Sequence, residues 1–220
     1  MLRIWEDTKL YGNYSPSSVY KYFKLWSNNR LFDELYKYSL QTYSRIKNIK
    51  WKYQAIDSTI IKAFRGGEEV GPNSCDRGRN GTKIHILTDK YGIPLAFMVT
   101  KANYHDSRAI VPLMKRYKIR RPRYQQHMNL DGAYDTRAIK RFLTNNLFFH
   151  HIPRNKRNSR REIAPMSSEE KEHFRHRNMI EQQFGHLKQY RSFLIRFSRT
   201  KLHFENLINI AYSTIICKKL

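Results

Sequence analysis

Residues 51–61 read WKYQAIDSTII. The stretch mixes β-branched and aromatic residues without helical spacing, so it is expected to form a strand. Its interior carries a carboxylate, Asp57. Aspartate is depleted in strands, and burying its charge unpaired is costly. Either this strand is an edge facing water, or something compensates the charge. Working outward, Lys83–Thr88 and Ile93–Thr100 flank Asp89-Lys90-Tyr91-Gly92, the signature of a hairpin. Residues 65–81, glycine-rich and charged, read as a long exposed loop.

Further along, Asp106–Tyr117 is expected to be a helix with Asp106 as its N-cap. Gln126–Leu130 reads as a short buried strand ending at Asp131. Asp135–Asn145 reads as a helix capped by Asp135, and Leu147–Ile152 as another strand. From Ser167 onward the pattern is helical, with a break near Ser198. At the other end, Ser15-Pro16 is an N-cap followed by proline at the first helical position, and Val19, Phe23 and Trp26 fall on one face. Ser27-Asn28-Asn29 breaks this helix, and Leu31, Leu35 and Tyr38 start a second. The pair is either a helix-turn-helix or a plain helical hairpin. The whole predicts an α/β fold: a mixed sheet with helices on both faces over residues 51–220, preceded by a small N-terminal helical region, 1–50.

Among the 220 residues, 42 Lys+Arg face 18 Asp+Glu, a formal net charge of +24. With 40% hydrophobic and 14% aromatic residues the chain has a core, which excludes a disordered polycation. Cys75 and Cys217 alone exclude a disulfide scaffold and point to a reducing compartment. Leu207–Cys217 is broken by Asn209 and Ser213 and falls short of the roughly 20 residues a membrane span needs. The N-terminal MLRIWEDTKLYG is acidic where a signal peptide is apolar. Such a charge on a folded core is the footprint of a nucleic-acid binder, with a solvated basic surface or a membrane-surface protein as the alternatives.

Where acids are scarce, their positions inform. Asp131 stands where an apolar strand ends, a place where α/β folds put reactive groups and where turn aspartates also occur. In FRHRNMIEQQFGHLKQY, residues 174–190, helical projection puts Phe174, Arg177, Glu181 and Lys188 within an arc of about 60°. Ile180, Phe184 and Leu187 form the apolar stripe beside them. Arg177 and Glu181, at i and i+4, would also make an ordinary surface ion pair. Three carboxylates converging from two strands and a helix repel one another unless a divalent cation lies between them. Oxygen donors of this kind suit Mg²⁺, with Mn²⁺ as its substitute, and phosphoryl transfer is the chemistry of such sites.

On these residues the chain resembles bacterial insertion-sequence transposases of the DDE class, within the IS-four/IS-five superfamily, from about Tyr53 to the C-terminus. Asp57 in DST resembles the first catalytic aspartate and Asp131 in LDGAYD the second. Residues 78–107, GRNGTKIHILTDKYGIPLAFMVTKANYHDS, resemble the family's hairpin. The family's Tyr-x2-Arg-x3-Glu-x6-Lys signature reads here Phe174-x2-Arg177-x3-Glu181-x6-Lys188, with phenylalanine in place of tyrosine. The resemblance implies an RNase-H-like fold, with Asp57, Asp131 and Glu181 as catalytic metal ligands. It implies Mg²⁺-dependent cleavage and strand transfer on double-stranded DNA, at terminal inverted repeats and target. A homodimer on DNA and a cytoplasmic, nucleoid-associated location go with it. The family usually has a longer region before the first aspartate, so a shortened or frameshifted copy is expected. The competing functions are an RNase-H-like nuclease that only hydrolyses and a non-catalytic DNA-binding relic. Arg177, Lys188, Arg154, Lys156 and Arg157 are the expected DNA contacts; the last three could also be a solvated loop. His85, His105, His173 and His176 lack the cysteine partners and second pair of a zinc site.

Overall fold

Tyr53–Lys62 forms the central strand, β1, of a six-stranded sheet in the computed structural model, which describes residues 14–153 and 178–220. The other strands are β2 (Gly71–Pro72), β3 (Asn80–Asp89), β4 (Pro94–Lys101), β5 (Gln126–Asn129) and β6 (Phe148–His151). Five run in the order β4-β3-β1-β5-β6, and β2 adds two residues to β3 just past the end of β4. The β1–β3 and β3–β4 pairs are antiparallel, whereas β1–β5 and β5–β6 are parallel. This mixed order is the RNase-H-like one. Helices α3 (Asp106–Met114) and α4 (Arg137–Asn145) make the crossovers that parallel pairing requires.

Register sorts β1 into two faces. Ser58 stands opposite His85 and Ile60 opposite Lys83, and this face meets α3: the Ser58 hydroxyl and the Lys83 ammonium both donate to Asp106, at 2.9 and 3.1 Å. Asp57 stands opposite Ile86, and Ile86 opposite Phe97. Phe97 packs on Tyr36 of α2 (Leu31–Ile46) and on Tyr212 of α6 (Lys201–Cys217), so Asp57 belongs to the other covered face. Helix α5 (Asn178–Lys188) packs against both β1 and α6 on that side. Helix α1 (Pro16–Asn28) packs on α2 and α6.

Among the described residues most expected elements form; the helix expected from Ser167 lies outside them up to residue 177, and the break expected near Ser198 extends over residues 189–200. Ser15 caps α1 by accepting from the Ser18 N–H at 3.2 Å. At α3 the cap is His105, whose ring accepts from the Ser107 N–H, because the Asp106 carboxylate is already taken by Lys83 and Ser58. At α4 the cap is Thr136, one residue beyond Asp135, which pairs instead with Lys140 at 2.6 Å. The glycine-rich stretch 65–81 is pinned rather than free. The Thr82 hydroxyl donates to the Glu69 carbonyl at 2.7 Å, and the Lys201 N–H to the Glu68 carboxylate at 2.8 Å. Cys75 and Cys217 are free and exposed. Among the described residues no helix is long and apolar enough to cross a membrane.

Helix α2 is part of the main core. Tyr36, Leu40 and Tyr43 lie in one apolar cluster with Ile56, Ile86 and Met128 of the sheet. The buried Tyr36 hydroxyl donates to the Pro94 carbonyl at 2.8 Å. Tyr36→Phe leaves that carbonyl unpaired away from water, so urea unfolding should show a loss of about 1–3 kcal/mol with an unchanged slope. No loss would mean that the Tyr36 hydroxyl bond adds nothing to stability.

Candidate active site

Parallel pairing brings the two aspartates to one place. Tyr53, Gln54 and Ala55 of β1 pair with His127, Met128 and Asn129 of β5. Asp57 and Asp131 each stand two residues beyond the last of these pairs. Asp131 keeps an extended backbone (φ −75°, ψ 161°) before the chain turns at Gly132–Tyr134. Residues at matching positions of in-register parallel strands share a face, so both carboxylates are carried on the side that α5 covers. Both residues are half-buried. β1 is central over residues 53–55; at Asp57 it is paired on the β3 side only, and Asp57 is half-buried there. One Asp57 oxygen accepts from the Ser58 N–H at 2.8 Å.

Glu181 arrives from the other direction. It is exposed, while Ile180, Phe184 and Leu187 of the same helix are buried. Met179 of α5 is seated on the β3–β4 turn. Gly92 has φ +72°, and a Cβ there would lie 2.9 Å from the Met179 carbonyl oxygen. Only glycine allows that backbone and that approach together. Lys188 is exposed at the last position of α5, about 10 Å along the axis from Glu181. Phe174, Arg177, Arg154, Lys156 and Arg157, with His173 and His176, lie outside the described residues.

The structure therefore aligns Asp57 with Asp131 and puts Glu181 on the helix over the same face. It does not draw the three into one tight group: among the described residues no three His, Cys, Asp or Glu side chains gather closely enough to hold an ion. The donors themselves are all carboxylate oxygens, which fit Mg²⁺ or Mn²⁺ and fit a thiophilic metal poorly.

Behind Asp57, on the opposite face, lies a polar knot that the sequence reading did not assemble. Lys83 donates to Asp106 at 3.1 Å and to the Tyr104 carbonyl at 2.8 Å. His85, fully buried, bonds the Thr100 hydroxyl at 2.9 Å and stands 3.6 Å from Asp106. Through Ser58 this knot grips the residue next to Asp57. The signal was available as Lys83 and His85 at i and i+2 of an otherwise apolar strand, which places both on one face.

The strand order defines an RNase-H-like α/β domain. Residues 53–216 match the family described as "Transposase DDE domain", and the chain belongs to that family. The putative transposase for insertion sequence element IS402 of Burkholderia cepacia is 36% identical, the match covering 38% of this chain and 43% of that protein. The putative transposase for IS6501 of Brucella ovis is 28% identical over 61% of this chain and 96% of its own length. The chain thus spans less than half of the first relative and nearly all of the second. Two solved structures align at low identity. The piggyBac transposase synaptic complex with hairpin DNA is 12% identical, with a TM-score of 0.46 over 76% of this chain and 45% of that one. The catalytic domain of Mos1 mariner transposase is 10% identical, with a TM-score of 0.34 over 86% and 92%.

Burial lowers the His85 pKa from 6.5 to about 4, with Lys83 adding to the shift and Asp106 opposing it. The folded state holds this ring neutral, so the unfolded chain takes up the proton first as pH falls. Stability should therefore drop between about pH 6.5 and pH 4, and His85→Gln should flatten that part of the profile. An identical pH profile for the variant in thermal melts would show that His85 is not held neutral.

Proposed function

We propose that the protein is a DNA transposase whose Asp57, Asp131 and Glu181 hold divalent magnesium, with manganese able to substitute, for cleavage at element ends and strand transfer into target DNA. The observation that supports this reading is the matched position of Asp57 and Asp131 past the β1–β5 pairing. Membership of the DDE family and the net charge of +24 support it further. The bound ion supplies positive charge where negative charge builds on the phosphate under attack. The chain's own part is positional. Central strands fix the two aspartates, and α5 carries Glu181 to the DNA side of the sheet. Lys188, exposed on the same helix, acts as a point charge for a phosphate. Arg177 orients Glu181 or clamps a second phosphate, and Arg154, Lys156 and Arg157 add backbone contacts. The partners are double-stranded DNA, as terminal inverted repeats and target, and a second copy of the chain on that DNA, within the nucleoid.

Asp57→Asn, Asp131→Asn and Glu181→Gln should each lower cleavage of an end-bearing duplex by more than about 100-fold while DNA binding persists. A variant that cuts at the wild-type rate removes its residue from the site. Joining of a pre-cut end into a second duplex separates transposition from plain hydrolysis. DNA affinity should fall steeply with salt, each neutralised phosphate adding about 0.9 to the log–log slope, and Lys188→Ala should reduce that slope by about one with the metal requirement unchanged. An unaltered slope would take Lys188 off the DNA.

A further inference from the structure

We infer that the protein has a second nucleic-acid site, a basic cavity at the N-terminal side of β1 and β5 that takes a single strand, its phosphates on lysine and arginine and a base against tyrosine. The cavity holds ≈ 880 Å³, within the roughly 300–1,000 Å³ of ligand pockets. Its walls are the segments that lead into the two strands, residues 48–53 and 120–124, together with Lys90 and Tyr91 of the hairpin turn. Tyr53 lies four residues before Asp57 on β1, so the cavity begins about 13 Å from the aspartates, on the other side of the β1–β5 pairing.

Its lining contains Lys50, Lys52, Lys90, Arg120, Arg121 and Arg123 and no aspartate or glutamate. None of the six forms an ion pair among the described residues. Arg121 is committed to the fold: it donates to Gln126 at 3.1 Å and to the Asn146 carbonyl at 2.8 Å, with its guanidinium over the Phe148 ring. The other five have no such partner, and like charges around one hollow repel unless an anion enters. Two are already positioned. The Lys52 and Lys90 ammonium groups lie 5.4 and 5.5 Å from the centre of the Tyr53 ring, which is itself stacked on His127 at 4.8 Å. Holding both before the ligand arrives reduces the entropy lost on binding.

The aromatic part of the lining separates a nucleic-acid strand from a simple polyanion. Tyr91 and Tyr124 are each 47% exposed at the cavity. Exposed rings among cations are the platform on which unpaired bases stack, while phosphates run along the charges. Paired bases in a duplex keep their faces stacked on each other, so the preference is for a single strand. The inference rests on the DNA-acting reading only for the source of that strand.

The test uses the full chain with labelled oligo-dT and a blunt duplex as probes. Lys90→Ala/Arg123→Ala should lower the log–log salt slope for oligo-dT by about 1.4, two contacts at about 0.7 each on a single strand. Lys21→Ala/Lys24→Ala, which removes equal charge from exposed positions on α1, packed at the His203 end of α6 and not at the end where Lys219 meets Tyr91, should leave it unchanged. Tyr91→Ser/Tyr124→Ser should weaken oligo-dT by roughly 5- to 100-fold per stacked base at an unchanged slope, with less effect on the duplex. The proposal is overturned if the cavity pair and the control pair behave alike, if the tyrosine pair binds oligo-dT like wild type, or if the duplex loses as much affinity as oligo-dT. Cleavage by Asp57→Asn reports on the catalytic reading alone. Loss of oligo-dT binding in the cavity variants beside an Asp57→Asn chain that still cuts would sink that reading and keep this one.

Discussion

Everything at the site depends on one short stretch of parallel pairing, three residues of β1 against three of β5. An antiparallel neighbour would have sent Asp131 to the other end of β1. A register slip of one residue would have turned it to the opposite face, since side chains alternate with period two. Side chains hold the pairing as well as the backbone: Tyr53 stacks on His127, Gln54 donates to Gln126 at 2.6 Å, and Ala55 and Met128 are buried. The carboxylates come just after, where β1 is still paired with β3 but β5 has ended.

A carboxylate in a central strand needs a rigid floor. The knot of Lys83, His85, Thr100 and Asp106 under the opposite face supplies one, with Ser58 as the link to the residue beside Asp57. A comparable arrangement fixes the far end of the sheet. Burial raises the Asp89 pKa, while backbone N–H groups of Ile93, Lys50 and Tyr91 bond to its carboxylate and limit the rise. That carboxylate shapes the hairpin turn on which α5 rests, so Glu181's helix is positioned from below by a buried acid with no part in the chemistry. Buried polar groups bonded to one another in this way make a core specific about its geometry.

Charge is distributed to match. The aspartate pair lies on one side of the β1–β5 pairing, and a hollow lined by six cations lies on the other. The overall +24 is therefore not an even coat, and the Lys90–Tyr91 turn that contributes to the hollow also seats α5 through Gly92.

Five of the six strands, the hairpin and most of the helices were legible in the sequence, as were the acidic residues; the two-residue β2 was not. Local patterning and turn chemistry are written in near neighbours: β-branched runs, Asp-Lys-Tyr-Gly, a serine before a proline. It missed the caps at His105 and Thr136, because cap choice is settled by which neighbouring carboxylate is already engaged elsewhere: Asp106 by Lys83 and Ser58, Asp135 by Lys140. It read residues 65–81 as a long exposed loop, and most of them are exposed, but it could not show that Thr82 and the distant Lys201 tether Glu69 and Glu68. Only the tertiary structure decided that β1 is central, that Asp57 faces α5 while Ser58 faces α3, and that cations from residues 50–52, 90 and 120–123 share one hollow. Those facts depend on strand order and register, which arise from pairing between segments far apart in the chain, and no local pattern encodes which segment will be the neighbour.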